Sequence, residues 1–85
     1  MDKKRIRELC ALGQSMKPTL MIGKEKVTDK VTEELARQLA KFKLVKLKVL
    51  PSSTLDTETV CAELAAATSS SLIETRGRTA LLYKD

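Results

Sequence analysis

The sequence predicts an α/β domain with a four-stranded mixed sheet and helices packed on it. Three observations carry that prediction. Apolar residues recur at helical spacing in three separate segments. The stretch Leu44-Val45-Lys46-Leu47-Lys48-Val49 alternates with a period of two. Two further β-prone runs, Leu72 to Thr75 and Thr79 to Tyr83, are joined through Arg76-Gly77-Arg78. The predicted order is α-β-α-β-α-β-β, one domain over residues 1–85. A chain of this length buries about 60–65% of its unfolded surface, enough for one modest core.

Asp2 to Gly13 reads as the first helix, with Ile6, Leu9, Cys10 and Gly13 on one stripe and Gly13 as its stop. Lys3, Lys4, Arg5 and Arg7 crowd its first turns, where the helix dipole favours acids, so these cations point to a role other than helix stability. Thr19 to Ile22 is a short strand opened by Pro18, a residue that cannot donate to a ladder and belongs at a strand's edge or beginning. Thr28 is placed to cap the second helix, with Asp29 in its first turn. Val31, Leu35, Leu39 and Phe42 form its expected buried stripe, and Glu33 with Arg37 an expected i, i+4 pair.

In the alternating strand, Val45, Leu47 and Val49 face the core, and Lys46 and Lys48 stand on a wet opposite face. Ser53 with Asp56 reads as a capping box for a third helix that buries Val60, Cys61, Leu64 and Ala67. Ser69-Ser70-Ser71 is a loop, and the final pair of strands is a glycine-centred hairpin. Strand–helix–strand units predict right-handed crossovers and a parallel centre to the sheet, with the hairpin adding an antiparallel pair.

Charge is unevenly distributed. Residues 1–50 hold thirteen Lys and Arg against six acids, whereas residues 51–85 hold three against five. The concentration of positive charge in the first part of a small domain implies an anionic partner approached from one side. The chain has no histidine, which removes the commonest general base and the usual partner of a Ser or Cys nucleophile, so a binding role is expected and not an enzyme. Cys10 and Cys61 read as core thiols; two thiols without histidine do not close a zinc site, so neither metal nor cofactor is expected. No apolar run is long enough to span a membrane and the N-terminal pattern is not that of a signal peptide, which makes the cytoplasm the expected compartment.

The segment Lys17-Pro18-Thr19-Leu20-Met21-Ile22-Gly23-Lys24-Glu25-Lys26-Val27-Thr28 has the grammar of strand, cationic turn and helix start. Such a turn brings backbone N–H groups, a helix N-terminus and ammonium groups to one spot, which suits phosphate. Lys17 to Lys24, Leu44 to Val49 and Arg76-Gly77-Arg78-Thr79-Ala80-Leu81-Leu82-Tyr83-Lys84 together resemble the three characteristic blocks of the CRM domain (chloroplast RNA splicing and ribosome maturation), in its stand-alone YhbY-like form. That resemblance implies an RNA-binding fold akin to the C-terminal domain of translation initiation factor three. It also implies association with ribosomal RNA or a large-subunit precursor. In the family the RNA contact centres on a Gly-x-x-Gly loop after the first strand; here the loop is Gly23-Lys24-Glu25-Lys26, with lysine in place of the second glycine.

Gly23, Lys24 and Lys26 are therefore the leading phosphate contacts, with Lys17 and Lys30 flanking the loop. Lys3, Lys4, Arg5 and Arg7 form an expected second contact surface, while Arg76 and Arg78 stay open between RNA contact and hairpin decoration. Phe42 and Tyr83 are the only aromatics, the first expected in the core and the second half-buried; so sparse a set favours recognition of structured RNA by shape and phosphates. The expected partner is thus RNA, with no membrane and no small-molecule substrate, and the expected state is a monomer. Two other readings are an Alba-like DNA-binding chromatin protein and a protein-interaction module for an acidic partner.

Overall fold

A computed structural model describes residues 2–23, 29–50 and 56–84. Along the chain come α1 (Lys3–Ser15), β1 (Leu20–Ile22), α2 (Asp29–Phe42), β2 (Leu44–Val49), α3 (Thr57–Thr68), β3 (Ser71–Arg76) and β4 (Thr79–Tyr83). This is the predicted α-β-α-β-α-β-β order. The four strands form one mixed sheet in the order β1-β2-β4-β3. Only β1 and β2 run parallel as neighbours; β4 inserts between β2 and β3 and pairs with both antiparallel. The expected parallel centre is not found: among the described residues the parallel pair β1–β2 lies at the margin, and the central pair β2–β4 is antiparallel. Burial gives the reason: β4 is almost entirely buried, whereas β3 leaves Ser71, Thr75 and Arg76 exposed and suits an edge.

Two layers of helix cover the sheet. On one face α2 and α3 close a core of Ile22, Leu35, Leu39, Val45, Leu47, Val49, Val60, Cys61, Leu64, Ala65, Ala80 and Leu82. Each fully buried aliphatic side chain there stabilises the fold by about 1.5–3 kcal/mol. On the other face lies α1, whose Leu9 and Gly13 are buried beside Leu81 and Tyr83. The alternation of β2 is as predicted: Val45, Leu47 and Val49 are buried on the α2–α3 side, and Lys46 and Lys48 point to the α1 side.

Several local expectations change. Gly13 does not stop α1; the helix continues to Ser15, and the missing side chain instead lets α1 approach the sheet. A Cβ there would stand 2.6 Å from Leu81 Cδ2. Phe42, the last residue of α2, is 57% exposed and does not join the buried stripe expected for it. Arg37 pairs with Glu34, one turn position nearer than Glu33. In α3 the N-cap is Asp56, whose carboxylate accepts from the Thr59 N–H at 3.1 Å; Ser53 and the proposed Thr28 cap lie outside the described residues. Ala67 is exposed, and Ala65 and Thr68 complete the buried side. Ser69 closes α3 in the left-handed conformation, and Ser71 already belongs to β3. Tyr83 is buried, not half-buried.

The closing hairpin has Gly77 at the first central turn position with φ +59°, the conformation a two-residue turn requires there and that glycine adopts without strain. Among the described residues no helix is long and apolar enough to cross a membrane.

Candidate nucleic-acid interface

The register fixes which residues share an end of the sheet. β1 and β2 are parallel with Ile22 opposite Val49, so the turn that follows β1 leaves from the same end as the last residue of β2. Lys48 pairs with Thr79, and the Val49 N–H donates to the Arg78 carbonyl at 2.7 Å, which brings the hairpin tip to that end as well. The first turn of α2, carrying exposed Lys30, follows the β1 turn. Gly23, Lys30, Lys48, Arg76 and Arg78 are thereby gathered at one end. Arg76 and Arg78, which the sequence left undecided, belong to it by position. Hairpin pairing is the signal: a glycine-centred turn places its flanking cations at a strand end, but only strand order says which end.

Gly23 is half-buried, and its φ lies outside the left-handed region; a Cβ would meet Leu50 Cδ1 at 3.8 Å, an ordinary contact. Fold geometry alone would therefore accept alanine at this position. Lys24 and Lys26 lie outside the described residues. Lys17 does not flank this turn: it is exposed on the far side of β1, before the strand begins.

Lys3, Lys4, Arg5 and Arg7 are exposed on the first two turns of α1, at the opposite end of the sheet. Their position follows from Arg5, whose guanidinium donates to the Tyr83 hydroxyl at 3.0 Å and lies 5.3 Å from the Tyr83 ring centre. Tyr83 pairs with Leu44 at the start of β2. The two ends of β2 are five residues apart, roughly 17 Å along a strand. Arg5 also faces Glu8, one turn on in the same helix, at 3.6 Å, while its bond to Tyr83 ties α1 to the sheet.

Lys46 has a use that alternation did not reveal. Its ammonium donates to the carbonyls of Gly13 at 3.0 Å and Met16 at 3.3 Å, satisfying the C-terminal end of α1. The lysine face of β2 is thus partly covered by helix. Between α1 and the sheet a cleft of about 230 Å³ is lined by Gln14, Lys46, Glu74, Arg76 and Thr79 among others.

The cysteines sit on opposite faces, Cys10 half-buried on α1 and Cys61 buried on α3. Burial, with the Asp56 charge as a smaller contribution, pushes the Cys61 thiol up to about 11. Burial also raises Cys10, reinforced by the charge of Glu74 and a hydrogen bond to it. Both remain thiols at neutral pH, the inert form. Among the described residues no group of three or more His, Cys, Asp or Glu could hold a metal.

Residues 1–84 match the CRS1/YhbY (CRM) domain. The chain is similar to a probable RNA-binding protein of Pseudomonas aeruginosa, 30% identical over 78 residues that cover 92% of this chain and 75% of that protein. It is also similar to the probable RNA-binding protein YqeI of Bacillus subtilis, 30% identical over 82 residues, covering 96% of this chain and 85% of the relative. The fold matches the solution structure of a Staphylococcus aureus protein with a TM-score of 0.84 and 25% identity, across the whole of this chain and 88% of the other. With the predicted blocks, the element order and the relatives in agreement, this chain belongs to the CRS1/YhbY (CRM) domain family.

Proposed function

We propose that this domain binds structured RNA through its phosphates at the end of the sheet where the β1–α2 turn and the β3–β4 hairpin tip meet. The observation that carries the reading is the convergence of Lys30, Lys48, Arg76 and Arg78 on the end from which Gly23 leads into Lys24 and Lys26. Cations from α2, β2 and the hairpin at one end of the sheet fit the spaced charges of a folded polyanion better than those of a small ligand. Family membership supports RNA as the partner, and the names of two relatives agree.

In this reading the domain acts without catalysis, in the cytoplasm, on ribosomal RNA of a large-subunit precursor. Lys26 contacts phosphate with its side chain where a glycine would let the backbone approach. About five phosphate contacts, at a slope near −0.7 each, give an affinity that falls roughly a hundredfold between 50 and 200 mM salt. Filter retention of ribosomal RNA fragments measures this, and salt-insensitive retention would sink the reading. The double variant Lys24→Ala, Lys26→Ala is expected to weaken retention with its melting temperature nearly unchanged. Competition with duplex DNA separates this function from a chromatin role: RNA is expected to win.

A further inference from the structure

The end of the sheet remote from the proposed phosphate loop carries a second grouping, of a different kind. Phe42 is 57% exposed, one of only two aromatics in the chain, and it sits between Lys41 and Lys43. The Lys41 ammonium lies 5.2 Å from the centre of its ring. Lys43 closes α2 with φ +67°, a left-handed conformation that glycine or asparagine ordinarily supplies. Helix ends of this shape are easily made with glycine, so a strained lysine here is an observation that asks for a use.

The neighbourhood is cationic. The Lys84 N–H donates to the Lys43 carbonyl at 2.9 Å, so the chain after β4 runs beside it. Tyr83, one residue earlier, carries Arg5 over its ring on the opposite, α1 face of the sheet, so the cations at Phe42 itself are Lys41 and Lys43. Among the described residues, the acids at this end are Asp2, which caps α1, and Glu8, which faces Arg5. Among the described residues no carboxylate pairs with Lys41 or Lys43.

We infer that Phe42 is a stacking platform for an unpaired nucleobase, with Lys41 and Lys43 holding the phosphates on either side of it. An exposed ring between two lysines matches the repeat of a single strand, which alternates flat apolar bases with charged phosphates. An apolar protein partner would call for more apolar surface around the ring, and an acidic one would leave the ring without a purpose. The inference rests on the RNA-binding reading, but it concerns a site roughly 17 Å away along the sheet from the loop. It gives the domain two contacts on one RNA: a folded segment at the loop end and an unpaired one at the Phe42 end.

The test uses the full chain and a short oligouridylate, alongside the same oligomer with abasic sites. Because the chain has no tryptophan, Phe42→Trp puts a single tryptophan at the site, excited selectively beyond the absorption of Tyr83. Oligouridylate is expected to quench it and the abasic oligomer to leave it bright. Phe42→Ala is expected to lower affinity for oligouridylate about tenfold, with no change for the abasic strand and an unchanged melting temperature. Lys43→Gly is expected to raise the melting temperature while reducing the salt slope by about 0.7. Equal affinity of native and Phe42→Ala protein for oligouridylate would overturn the inference, as would quenching by polyglutamate but not by oligouridylate. Repeating the titration in the Lys24→Ala, Lys26→Ala background keeps the two readings apart: loss at the loop leaves the Phe42 response in place.

Discussion

The two faces of the sheet are held by different physics. On the α2–α3 face, aliphatic side chains from both helices and three strands interlock with no charged group among them. On the α1 face, contact is narrow: Leu9 is buried and Gly13 lies against Leu81, with Arg5 reaching Tyr83 at one end and Lys46 reaching two carbonyls at the other. The first face stabilises by area removed from water and the second by a few directed polar contacts around one close approach. The core face should therefore unfold with the whole domain, and α1 should loosen by itself.

The largest effect that tests this contrast is Leu64→Ala on the core face. Leu64 is 0% exposed, and its truncation is expected to cost about 3–4 kcal/mol in urea unfolding, a large part of the stability of a domain this small. Next comes alkaline pH. The folded state holds Cys61 protonated up to about 11, whereas the unfolded thiol ionises near its ordinary value of 9.0. The unfolded state thus loses its proton first, and stability falls from about pH 9 until it levels off near pH 11, by up to about 2–3 kcal/mol. Denaturation of native and Cys61→Ala proteins across that range should show this part of the slope only in the native chain.

Smaller effects belong to the α1 face. Lys46→Met removes the ammonium from the end of α1 and is expected to cost about 1–2 kcal/mol. Hydrogen exchange should then quicken in α1 while α2 and α3 stay protected; uniform acceleration would show that the faces do not separate. Gly13→Ala sets a clash with Leu81 of about 1–3 kcal/mol against a gain of up to about 1 kcal/mol in helix propensity. A net loss of about 1 kcal/mol by thermal melting is the expected outcome, again confined to α1.

The same contrast explains what was legible in the sequence. Local periodicity identified Val45, Leu47 and Val49 as buried and put Leu35, Leu39, Val60 and Leu64 on core stripes, because burial on a two-helix face imposes its period directly. Alternation says which residues share a face, not what covers it, so Lys46 and Lys48 read as solvated although α1 lies over part of that face. Gly13 read as a helix stop because glycine serves both for stopping and for close approach, and only the position of Leu81 decides between them. Phe42 continued the spacing of Leu35 and Leu39 but lies beyond the last packed turn. Strand order was hidden for a related reason: β4 takes the centre through burial relative to β3, a comparison no single segment contains.

For the candidate interface, the sequence pointed to the β1–α2 turn, whose Lys24 and Lys26 lie outside the described residues. It could not tell that Lys17 and Lys30 belong to different ends of β1, or that Arg76 and Arg78 arrive beside the turn. Those placements depend on pairings between residues distant in sequence. They became visible only with the register.

The ladder between β3 and β4 skips at Ile73: Leu72 stands opposite Leu82 and Glu74 opposite Leu81, so one residue of the outer strand has no counterpart. An irregular outer strand offers a poor template to a second molecule, since its free amides and carbonyls fall out of step with those of any straight segment laid beside it. At the other margin β1 is three residues long, with Pro18 ahead of it. Deleting Ile73 would restore the spacing without exchanging the two sides of the strand, and the shortened protein should show concentration-dependent self-association by sheet extension.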